Sequence, residues 1–129
     1  MSVERVREEL KLIRKVNKMT IDYIEAEKLL RDKEKILGSE NIDTQSIGNL
    51  EASRKQVSEL IEKTSELEKK YFDAFEFLPA TGRKIIVSKV INCHSNRRIA
   101  INLCYSEVSI EKKLNAIYKR LDEILYQGR

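Results

Sequence analysis

Proline occurs once in this 129-residue chain, glycine four times, histidine once, cysteine twice and tryptophan not at all. So few turn-forming residues argue against a β-sandwich, which needs frequent turns and sustained β-branched alternation. No apolar run approaches the roughly 18 residues of a membrane span, and the start has no signal-peptide pattern. Cys93 and Cys104 form no disulfide framework and suit a reducing, cytoplasmic setting. A zinc site needs four ligands, and Cys93, His94 and Cys104 supply at most three. A single histidine also leaves no Ser/His/Asp or Cys/His/Asn set, and no glycine-rich phosphate loop is present. We therefore expect no metal, no cofactor and no enzyme. His94 is expected to be a turn residue contacting backbone or phosphate.

The chain is rich in charge instead. Charged residues make up 36% and the apolar set 41%, the balance of an all-α protein with a thin core. The net charge of +4 is unevenly spread. Residues 1–78 carry 15 Lys/Arg against 17 Asp/Glu, a net of −2, whereas residues 79–129 carry 10 against 4, a net of +6. A basic final third points to a polyanion partner for that part.

The stretch 2–37 reads as one long helix of about 50 Å. Ser2 stands at its cap, Val6, Leu10 and Ile13 share one face, Tyr23, Ala26, Leu30 and Leu37 follow helical spacing, and Gly38 stands as the C-cap. Asn17 and Thr20 interrupt the stripe. Residues 38–50, "GSENIDTQSIGNL", read as a polar linker, and residues 49–78 as a second long helix with an apolar stripe from Leu50 to Leu78. Two such helices fold back as an antiparallel hairpin, because neither buries its stripe alone. The aromatic cluster "YFDAFEF", 71 to 77, is expected to pack between this hairpin and the basic final third, the alternative being an exposed docking patch for RNA polymerase or another copy of the protein. Pro79 ends the second helix, and the expected division is a hairpin over 1–78 and a compact helical domain over 79–129.

Within the second part, "SNRRIAINLCYSEVSIEKKL", 95 to 114, reads either as one basic helix or as two helices with a turn. Phase does not decide, since Ile99, Leu103, Ile110 and Leu114 share a face in both cases. Capping does. Ser95 and Ser106 each stand where an N-cap belongs, and Glu107 suits the positive first turn of a helix. Two caps about eleven residues apart predict a break at Leu103–Tyr105 and two packed helices, with Ala100 allowing close approach. In such a motif the second helix enters the DNA major groove.

The run "RRIAINLCYSEVSIEKKLNAIYKRL" resembles the helix-turn-helix of region 4 of bacterial sigma factors, through Ile99-Ala100, Leu103, Cys104, Tyr105, Ser106 and Ile110. "LPATGRKIIVSKVIN" resembles the helix that precedes it there, so the likeness spans about 50 residues. Cys104 stands where glycine is common, and "CHSNRR" replaces the usual aromatic-bearing approach. The layout as a whole is similar to phage-encoded regulators of Gram-positive hosts, including late-gene activators of the ArpU and RinA type. That resemblance implies promoter binding and control of phage genes alongside host RNA polymerase. No second sigma-like domain is present to melt DNA, so an activator that assists polymerase is expected.

Duplex DNA is thus the expected partner, with host RNA polymerase or a second copy on the hairpin. Lys112 is the first candidate for base or phosphate contact, Asn115 the second, and Ser106 and Ser109 lie near the entering end of the helix. Arg97, Arg98, Arg83, Lys84 and Lys113 are candidates for phosphates. Glu107 and Glu111 oppose binding and imply modest affinity or a second copy. The alternative is a helical protein-interaction module, such as a phage inhibitor of a host nucleic-acid-handling protein.

Overall fold

The computed structural model of the chain describes residues 2–38 and 44–127, and it is all-α. The described residues form five α-helices, α1 (Ser2–Leu37), α2 (Thr44–Phe75), α3 (Ala80–Val90), α4 (Asn96–Leu103) and α5 (Glu107–Asp122), with a π-helical turn at Glu123–Gln127 continuing α5. The expected cap at the Ser2 side chain and linker residues 39–43 lie outside the described residues. α2 begins at Thr44, five positions before the expected start at Asn49, and runs through Gly48. Gly38 ends α1 as anticipated, with φ +82° and its N–H donating to the Glu34 carbonyl.

One apolar cluster holds most of these elements together. It joins Val6, Leu10 and Ile13 of α1, Tyr71, Ala74 and Phe75 at the end of α2, Leu78 in the turn that follows, and the inner faces of α3, α4 and α5. The packing therefore runs straight across Pro79, where the composition changes. Val6 and Ile13 are fully buried because the start of α1 lies against α3 and α5 as well as α2. From Met19 onward α1 lies along α2. Glu9 meets Tyr71 while Met19–Ala26 face Leu50–Val57, so the two helices run in opposite directions. That far end buries little: Val57 and Thr64 are covered, but Ile24, Leu29 and Ile36 are exposed.

Polar side chains lock the junctions by satisfying helix-end carbonyls that have no intrahelical donor. Arg14 of α1 donates through Nε to the Lys89 carbonyl at 3.0 Å and through Nη2 to the Cys93 carbonyl at 3.3 Å. Asn17 donates to the Val90 carbonyl at 3.0 Å. The two residues thus close the end of α3 from outside. Arg83 does the same for α2, reaching the carbonyls of Phe75, Glu76 and Leu78 at 3.2–3.3 Å.

A second polar cluster ties α1 and α2 to the π-turn. The Tyr71 hydroxyl donates to Glu9 Oε1 at 2.7 Å, the Tyr126 hydroxyl donates to the same oxygen, and Lys70 donates to Tyr126. The Arg5 guanidinium stacks 4.0 Å from the Tyr126 ring centroid. Burial alone would push the Glu9 carboxyl up. The hydrogen bonds from Tyr126 and Tyr71, with Lys70 and Arg5 nearby, hold it below its ordinary 4.5.

The break between α4 and α5 is made by a left-handed residue. Cys104 has φ 61° and ψ 39°, a conformation disfavoured by a Cβ and free for glycine. Its side chain is exposed, so nothing is lost by removing it. Cys104→Gly should leave stability unchanged or raise it by up to about 1 kcal/mol, whereas Cys104→Val should cost about 1–2 kcal/mol. Urea midpoints of the two variants read the difference; equal midpoints would contradict the strain argument.

Candidate nucleic-acid interface

α4 and α5 are built as two separately capped helices. Ser95 is extended at φ −72°, ψ 160° and its hydroxyl accepts from the Arg98 N–H. Ser106 repeats the arrangement at φ −78°, ψ 157°, accepting from the Ser109 N–H at 3.1 Å. Between them the Tyr105 N–H returns to the Ala100 carbonyl at 2.9 Å, which finishes α4 and turns the chain. Ile99 and Ala100 of α4 are buried with Ile110, Leu114, Ile117 and Leu121 of α5.

At about 100° per residue, that apolar stripe sets where every other α5 side chain points. Lys112 and Lys119 fall on the pole opposite the core, and both are exposed. Arg97 and Arg98 are exposed in the first turn of α4, and Lys84 is exposed on α3. No described residue forms an ion pair with any of these five cations. Glu107 and Glu111 are also exposed on α5.

The remaining candidates are placed differently. Arg83 is half-buried with its guanidinium directed to three backbone carbonyls, so its donors are committed to closing α2 rather than open to a phosphate. Asn115 accepts through Oδ1 from Arg7 Nη2 of α1 at 2.9 Å, which turns it toward α1. Lys113 is half-buried with Nζ 4.9 Å from the Tyr105 ring centroid. Ser106 uses its oxygen lone pair as a cap, leaving the hydroxyl hydrogen free to donate. Ser109 is half-buried beside it.

Two features went unread in the sequence. Arg7, from the start of the chain, sits over Tyr118 at 5.5 Å as well as on Asn115, so α1 borders the outer face of α5. No local signal marks such a contact, since it is set by how α1 packs. The second feature is apolar. Ile101 and Val108, on either side of the turn, are 68% and 58% exposed, and Tyr105 between them is exposed too.

His94 does occupy the turn before α4. Its backbone N–H donates to the Ser88 carbonyl at 2.9 Å, and its side-chain Nδ1 has no partner among the described residues. Burial, with the Arg98 charge nearby, pushes its imidazole down. Among the described residues no cluster of three metal-ligating side chains forms, and no helix is long and apolar enough to cross a membrane. Comparison of the chain with family models, with curated proteins and with solved structures found no match.

Proposed function

We propose that the chain is a sequence-specific DNA-binding transcription regulator in which α4 and α5 act as a helix-turn-helix and α5 enters the major groove. One observation carries this reading. The left-handed break at Cys104 leaves α5 as an independent capped rod whose cations Lys112 and Lys119 oppose its apolar stripe. Arg97 and Arg98, at the start of the supporting helix, extend the positive surface toward the flanking phosphates. In this reading α3 is the first helix of a three-helix domain resembling sigma region 4, and α1 with α2 is the hairpin that meets a partner. The resemblance to phage-encoded regulators adds host RNA polymerase as the machine that the chain assists.

The exposed Ile101, Tyr105 and Val108, with Glu107 and Glu111 beside them, favour a second reading. There the same surface docks on a protein, as in an inhibitor of a nucleic-acid-handling enzyme. Fluorescence anisotropy on a labelled duplex separates the two. Four phosphate contacts predict a log K against log salt slope of about −3 to −4. A sample that ignores duplex DNA at low salt sinks the DNA reading and leaves the protein-docking one.

A further inference from the structure

A groove of about 390 Å³ lies between the start of α3 and α5. Leu78, Pro79, Ile85 and Ile117 give it apolar walls, and Lys113 and Arg120 add two cations. An apolar slot flanked by positive charge suits an apolar side chain that arrives with carboxylates. The chain displays such a group next to the slot itself. Phe77 immediately precedes the groove residue Leu78 and is 70% exposed, so its ring lies outside its own groove. Asp73 and Glu76 beside it are exposed and make no ion pair among the described residues.

The turn that carries Phe77 is held rigidly. Successive N–H groups of Glu76, Phe77 and Leu78 donate to the carbonyls of Asp73, Ala74 and Phe75 at 3.0–3.3 Å. Arg83 fastens the Glu76 and Leu78 carbonyls from the other side. A large aromatic on a fixed turn costs little to order on binding.

We propose that Phe77 of one copy inserts into the groove of a second copy, with Glu76 meeting Arg120, and that the exchange is reciprocal. Knob and slot are neighbours in sequence and on the surface, so the contact closes as a two-fold dimer rather than a filament. The Arg120 side chain holds only a surface pair to Glu123 at 3.2 Å, half-exposed on both sides, and such pairs exchange readily. Two inserted rings with their slots bury on the order of 1,000 Å², the low end for specific contacts, so the dimer is reversible. This face offers charge complementarity to a second copy, which the apolar Ile24 and Leu29 of the α1–α2 end do not.

Sedimentation equilibrium of the full chain tests the proposal. The wild type should show a concentration-dependent monomer–dimer equilibrium. Phe77→Ala should weaken it by about 100-fold, with a melting temperature equal to the wild type's at concentrations where both are monomeric, because the ring is solvent-exposed in the single chain. Glu76→Arg should weaken it by about tenfold, and Glu76→Arg with Arg120→Glu should recover most of that loss. A wild type that stays monomeric up to its solubility limit overturns the proposal, as does a dimer indifferent to Phe77→Ala. The inference stands apart from the DNA reading: a monomer that binds duplex DNA sinks the dimer alone.

Discussion

Tyr71→Ala is expected to remove about 3–5 kcal/mol of stability, the range for truncating a fully buried aromatic. That is a large share of the ~5–15 kcal/mol that holds a domain of this kind together. Tyr71 is fully buried at the point where α2 meets the shared cluster, and its ring packs near Phe75 at a centroid separation of 6.5 Å. Its hydroxyl also supplies one of the two tyrosine hydrogen bonds to Glu9. Tyr71→Phe keeps the ring and should cost only about 1–2 kcal/mol.

The phenylalanine variant should also move the acid transition. Glu9 has its carboxyl held below 4.5, so its contribution to stability is present above that pH and is lost as pH falls through the depressed folded value. Removing one donor lets the Glu9 value drift back up, and the acid midpoint should rise with it. Urea titrations monitored by circular dichroism, at neutral pH and across the range below pH 4.5, read both effects. Wild-type stability in Tyr71→Ala would mean that the junction of α1, α2 and α5 is not the structural centre.

The second large effect is on DNA. Arg97→Ala combined with Lys112→Ala should weaken duplex binding by about 10–100-fold at low salt. It should also flatten the salt slope by about 1.8 units, since each lost phosphate contact removes about 0.9. Both side chains are exposed and unpaired among the described residues, so the fold should not notice their loss. Arg83→Ala is the informative contrast. It should destabilise the chain by about 1.5–3 kcal/mol through its lost bonds to three carbonyls, of which Phe75's keeps the Leu78 N–H, yet leave the salt slope alone. A steep slope retained in the double variant would move the DNA surface off α4 and α5.

The features legible in the sequence were local ones. Ser95 and Ser106 announced two helices because a cap needs only a hydroxyl three residues before an N–H. Gly38 announced the end of α1 for the same kind of reason. The conformation of Cys104 was visible only as the place where a turn had to fall. The hidden features were set by tertiary placement. Asn17 looks like an interruption in an apolar stripe, but it lies there because α3 ends beside it. Arg83 and Asn115 look like free polar groups on basic helices. Their partners, the α2 carbonyls and Arg7, come from elements that no pattern within α3 or α5 reveals. A long side chain reaches several addresses, and sequence spacing does not choose among them.

The bond from Tyr126 to Glu9 spans 117 positions. The opening turns of α1 therefore emerge from the ribosome long before the aromatic ring that covers them exists. During synthesis α1 and α2 can pair first, but Val6 and Ile13 lack the part of their cover that α3 and α5 supply until α5 is complete. The opening turns of α1 stay partly uncovered while the residues between α2 and α5 are made. Pulse-proteolysis of stalled chains should find the opening turns of α1 fully protected only once α5 has cleared the exit tunnel.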